Sequence, residues 1–139
     1  HEIFHGEDRG NVYEFAHFAI DNGADIVFGQ GPHVTRAIEL YKNKFISYSG
    51  GNFATFGKIN VSGSMGIAPI FKIKIDNNGN FVSGEVIPVR QTYESAGPFI
   101  DSEKLAIKKI IFLNKSDFPN GNGLSVTNNG KINKIGNSN

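Results

Sequence analysis

One short stretch of the sequence gathers side chains able to do chemistry around a stiff turn: Gly29, Gln30, Gly31, Pro32, His33, Val34. Pro32 fixes its own φ and biases the residue before it toward extended backbone, while the glycines let main chain approach a ligand closely. His33, presented by such a turn, can ligate a divalent metal at roughly 2.0–2.1 Å or act as acid or base near neutral pH. Gln30 donates and accepts through its amide and can orient a water or a substrate oxygen, although its neutral carbonyl is a poorer donor to zinc or iron than imidazole. A second glycine turn, Gly50, Gly51, Asn52, Phe53, offers Asn52 as a metal ligand or as a hydrogen-bond partner for the first loop. Each has a plainer reading. A lone turn histidine is more often a cap or a surface residue, a glutamine amide can simply brace its loop, and a turn asparagine tolerates left-handed backbone.

Both turns need elements to hold them. In Asn11–Gly23 the residues Val12, Phe15, Ala16, Ala19 and Ile20 recur at helical spacing, and Gly23 supplies a left-handed stop. The apolar run Ala24–Gly29 then reads as a buried strand that empties into the first loop. Past the loop, His33–Tyr41 leads to a hairpin turn at Lys42–Lys44 and a strand Phe45–Ser49, which empties into the second loop. Helix, strand and loop in this order predict an α/β unit, whose sites collect at the carboxyl ends of its strands.

Further along, Ile67–Ile75 and Phe81–Val89 flank Asn77–Asn80 and predict a β-hairpin. Asp101 and Ser102 can cap a helix over Asp101–Asn114 with Leu105, Ile107, Ile110 and Ile111 roughly on one face. The chain divides into residues 1–118 and an Asn/Gly/Lys-rich tail, 119–139, where Leu124–Ile135 can form a small edge hairpin and disorder is expected past Gly136.

Composition narrows the options. The 139 residues are 39% hydrophobic with 12 Phe, enough apolar material for one core and little more. Fourteen basic and 13 acidic residues are scattered without a block of one sign, so no nucleic-acid or anionic-membrane partner is implied. The absence of cysteine excludes disulfides, thiolate zinc sites and cysteine nucleophiles. No apolar run approaches the ~18 residues of a membrane span.

Other candidates are weaker. His17 lies outside the main apolar stripe of the first helix and reads as a solvated or partly packed residue. Glu39 and Arg36 are spaced as a helix-like surface pair, Glu7, Asp8 and Arg9 make a mixed-charge turn, and His1 and His5 stand at the chain's start. There is no Ser/His/Asp order, no phosphate-cradling GxxxxGK and no EF-hand spacing.

The stretch FAHFAIDNGADIVFGQGPHVTRAIELYKNKFISYSGGNF resembles the CapA family of capsule-synthesis proteins, in which IDxGAD leads to VxGHGPHV, then IExY, then YSLGNF. Gly10–Phe56 matches closely, and a weaker similarity runs through the hairpin, Gly97–Asp101 and SDFPNG. The resemblance implies the C-terminal part of a metallophosphoesterase-like β-sandwich flanked by helices. It also implies divalent metal, an anionic polymer or phosphoester substrate, a place at the cell envelope or membrane, and an N-terminal half of the parent carrying the GD, NNH and HxGxE segments that this chain lacks.

Position by position, His33 matches the second histidine of GHGPH, a metal ligand and catalytic candidate, and Asn52 matches the asparagine of YSLGNF, a substrate-binding candidate. Gln30 stands where the family usually has histidine, so metal affinity should fall, and Gly50 stands where leucine is usual. Two readings follow: part of a metal-dependent hydrolase-like site, or a non-catalytic polymer-binding or assembly module with a degenerate site.

Overall fold

The computed structural model describes residues 10–136 in full and the backbone of two short strands before them, β1 (Ile3–Phe4) and β2 (Glu7–Asp8), which form an antiparallel ribbon. His1, His5, the other residues between these strands, and the segment past Gly136 lie outside the described residues.

Helix α1 (Val12–Asp21) starts where Asn11 accepts the amides of Tyr13 and Glu14 at 3.1 and 3.3 Å. It stops in a Schellman arrangement: Ala24 N–H bonds Ala19 C=O, Gly23 N–H bonds Ile20 C=O, and Gly23 takes φ +102°. Its buried face is narrower than the periodicity predicts. Ala16 and Ile20 face inward, but Phe15 is 71% exposed, because the inner face turns toward Tyr13 and His17 instead. His17 is packed, with a side chain 15% exposed.

Under α1 lies a three-stranded sheet of β3 (Ile26–Phe28), β4 (Ile38–Tyr41) and β5 (Lys44–Ser47), in the order β3-β5-β4. β3 runs parallel to β5, and β4 pairs antiparallel through a two-residue turn in which Lys42 and Asn43 take φ of 49° and 64°, the twist that suits a tight hairpin. The expected burial of β3 does not hold. It is an edge strand in this sheet and Phe28 is 54% exposed. An apolar run of this length cannot by itself distinguish a central strand from an edge.

The second sheet is built on the predicted hairpin, β6 (Ile67–Ile75) and β7 (Phe81–Arg90), turning at Gly79. β8 (Phe99–Ile100) pairs with β7. So does β10 (Lys131–Lys134), which carries β9 (Leu124–Val126) at its outer side. The hairpin of the Asn/Gly/Lys-rich tail is thus joined to the main sheet, and Ile132 is fully buried. Helix α2 (Leu105–Asp117) begins after Asp101, whose carboxylate accepts the amides of Glu103 and Leu105.

The layers follow from the two-residue period of β-strands. Ile38 and Phe45 point down and share a core with Phe81, Val86, Ile107, Ile110, Leu124 and Ile132 from the second sheet and α2. Ile46 points up against Ala16 and Ile20. The result is an α/β fold in which two sheets stack like a β-sandwich with flanking helices. Truncating Phe45, fully buried at the centre of three other rings, costs ~3–5 kcal/mol by transfer and cavity terms together. The free side of β4 is closed by two amides the sequence does not advertise. Asn114 accepts from Ile38 N–H, and Asn122 donates to Ile38 C=O at 2.7 Å.

One polar atom in this core has no partner among the described residues, the buried hydroxyl of Ser47. Since an unpaired buried hydroxyl opposes folding, Ser47→Ala is expected to stabilise the chain by about 1 kcal/mol. Urea titration should show a higher midpoint at unchanged slope; a lower midpoint would mean that the hydroxyl is bonded.

Candidate functional site

Because β3 and β5 are parallel neighbours, their carboxyl ends deliver both glycine loops to one edge of the sheet. The loops are laced together. Gly29 N–H donates to Ser47 C=O, Gly50 N–H to Gly29 C=O, Arg36 N–H to Ser49 C=O, and Thr35 bridges Gly50. Gly29 is required here because a Cβ would stand 2.4 Å from the Tyr48 carbonyl oxygen.

Across this lacing His33 Nδ1 lies 2.7 Å from Asn52 Oδ1. Asn52 is only 5% exposed, and its Nδ2 donates to the carbonyls of Asn60 and Met65 at 3.2 and 3.1 Å. Those two carbonyls fix the amide, since a flip would set Oδ1 against two oxygens. Oδ1 must therefore accept, Nδ1 of His33 must carry the proton, and Nε2 holds the lone pair of the neutral ring. A ligating histidine is commonly oriented in this way, by a hydrogen bond to its other nitrogen. Gln91 ties this region to the end of β7: its N–H donates to Gly66 C=O, next to Met65, and its side chain accepts from Thr55 N–H and donates to Thr55 C=O in the loop after Asn52.

His33 has φ +59°. Left-handed backbone costs a non-glycine residue about 1–2 kcal/mol, a strain that the surrounding loop bonds must offset. Gln30 is exposed, and its amide nitrogen lies 2.8 Å from where a Cβ on Gly50 would stand. The two departures from the family pattern are therefore neighbours in space. The longer glutamine side chain occupies room that a side chain at position 50 would claim.

Thus Gln30, His33 and Asn52 come to one edge, with His33 and Asn52 in direct contact. Among the described residues no group of three or more His, Cys, Asp or Glu side chains comes together as a metal cage. The donors on hand fit one ligand of a metal centre and do not complete one.

Sequence reasoning missed a second polar cluster. Glu39 is no helix-like surface partner of Arg36. It lies in strand β4, where the alternation turns it under α1, and it is 7% exposed. Its Oε2 accepts from Tyr48 Oη at 2.5 Å and pairs with His17 Nε2 at 2.9 Å. His17 in turn stacks on Tyr41 with ring centroids 3.6 Å apart. Treating β4 as a strand would have put Glu39 on the same face as Tyr41 and revealed the cluster.

Residues 8–56 match the family model of the bacterial capsule synthesis protein PGA_cap. The motifs that carry the resemblance, both glycine loops among them, fall inside the matched segment. The uncharacterized proteins y4sH and y4uA of Sinorhizobium fredii (strain NBRC 101917 / NGR234) are each 44% identical over 57 residues, covering 35% of this chain and 12% of their own length. The chain thus spans a small part of the curated relatives it matches. No helix among the described residues is long and apolar enough to cross a membrane.

The strained φ and the pinned amide generate a paired expectation. His33→Gly should be more stable than His33→Ala by about 1 kcal/mol, because only glycine adopts this backbone without strain. Asn52→Leu should lose ~1–3 kcal/mol by leaving two inward carbonyls unpaired. Denaturant midpoints check both; indistinguishable Gly and Ala variants would contradict the strain.

Proposed function

We propose that this chain supplies part of a metal-dependent, hydrolase-like site in a capsule-synthesis protein. His33 is one metal donor through Nε2, and Gln30 orients a water or substrate oxygen beside it. The remaining ligands come from outside the described residues. The observation that carries the reading is the Asn52–His33 bond, which leaves the ring in the tautomer a metal needs while Asn52 itself is saturated by backbone. In this reading Asn52 acts on substrate only through His33.

A bound divalent ion would polarise a phosphoryl or carbonyl oxygen and lower the pKa of bound water. The chain's own residues do the rest. Asn52 holds the imidazole proton on Nδ1, the glycine loops keep that geometry by their mutual hydrogen bonds, and Gln30, with no hydrogen bond among the described residues, has its amide available at the same edge. An anionic polymer or a phosphoester is the substrate class that this chemistry and the family resemblance favour.

A second reading, a non-catalytic polymer-binding or assembly module, draws on one observation. The amide of Gln30 stands where an imidazole is usual and fills the space over Gly50, which weakens the site as a metal centre.

Calorimetric titration of manganese or zinc into the full-length protein separates the cases. Metal affinity is expected to fall at least tenfold in His33→Ala; equal binding removes His33 from the ligand set. Phosphoesterase activity that is absent in the wild type and created by Gln30→His supports the second reading, whereas full activity in the unmodified protein rejects it.

A further inference from the structure

A cavity of about 550 Å³, lined by none of Gln30, His33 and Asn52, opens between the start of α1, the β4–β5 pair and the residues after α2. Three rings line it, those of Tyr13, Tyr48 and Phe118. They pack on one another with centroids 6.1 to 6.4 Å apart. Glu39 lines the same space, with a side chain 9% exposed. Of its two oxygens, Oε2 takes both Tyr48 and His17, while Oε1 makes no hydrogen bond among the described residues. Arg36 and Asp117 stand exposed at the rim, neither in an ion pair among the described residues.

These features select a ligand charge. Aromatic faces carry negative quadrupole potential and attract cations, more so when desolvated. A carboxylate that is nine-tenths buried and only half satisfied gains most from a charged N–H donor, which relieves its desolvation and completes its hydrogen bonding. Burial first, and then the Glu39 carboxylate, raise the Tyr13 and Tyr48 phenols above their ordinary range, a sign that negative potential reaches both walls. Of the charged groups that line the cavity, Glu39 and Asp117 favour a cation and Arg36 opposes it; His17, paired with Glu39 outside the lining, opposes it only when protonated.

We propose that this cavity binds a small organic cation bearing N–H donors, a primary ammonium or guanidinium group, with Glu39 Oε1 as its acceptor and the Tyr13 and Phe118 rings against its carbon chain. His33 is not among the residues that line the cavity. Arg36, exposed at the rim, limits affinity and does not form part of the recognition.

The test uses agmatine, which carries a guanidinium and an ammonium, titrated by calorimetry and NMR into the full chain, with tetramethylammonium, malonate and glucose as controls. Agmatine should bind saturably, shift the Tyr13 and Phe118 ring signals and weaken with added salt. Tetramethylammonium, which lacks N–H donors, should bind at least tenfold more weakly. Affinity for agmatine should fall at least tenfold in Glu39→Gln and about threefold in Asp117→Asn, and should rise in Arg36→Ala. The rim variants read the same charge preference should Glu39→Gln fail to fold. Absent agmatine binding, preferred binding of malonate or glucose, or agmatine binding weakened by Arg36→Ala overturns the proposal.

Discussion

The carbonyls of Asn60 and Met65 decide which nitrogen of His33 carries its proton. They fix the Asn52 amide, the amide oxygen takes the Nδ1 proton, and the ring's lone pair is left on Nε2. This arrangement is held by backbone that is itself held: Gln91 clamps Thr55, the lacing between the two glycine loops fixes their separation, and the parallel pairing of β3 with β5 brings both loops to one edge. A histidine in left-handed backbone persists because so many bonds determine its loop.

The two faces of the three-stranded sheet do different work. Its lower face, with Ile38 and Phe45, joins the second sheet and α2 in the apolar core. Its upper face carries Ile46 together with Glu39 and Tyr41, and there α1 covers a polar cluster as well as an apolar one. A buried carboxylate under a helix is costly unless hydrogen-bonded, and Tyr48 and His17 provide that bonding.

Much of this was legible in the residues. Asn11 and Gly23 mark the ends of α1, the Asn77–Asn80 turn marks the β6–β7 hairpin, and the two glycine loops are recognisable as neighbours because each follows a strand. What the sequence hides is which face each element buries. Phe15 follows the helical period yet stays in solvent, since the inner face of α1 is chosen by the tyrosines of the sheet beneath it. Glu39 reads as a partner of Arg36 at helical spacing only until the segment is known to be a strand. The contact between Gln30 and Gly50 is equally invisible, being long-range and made by two residues that each depart from the family pattern. Asn122, which closes the edge of β4 from eighty-four residues away, gives no local signal at all.

The similarity of residues 8–56 to the capsule-synthesis family and the geometry of the glycine loops meet at His33. The nitrogen-15 shifts of its imidazole, measured at a pH where the ring is neutral, test the meeting point most directly. The expected result is a pyrrole-like Nδ1 and a pyridine-like Nε2, with that pattern averaging toward a tautomer mixture in Asn52→Leu. A pyridine-like Nδ1 in the wild type would contradict it, for Asn52 would then be donating to the ring and the carbonyls of Asn60 and Met65 would not hold its amide.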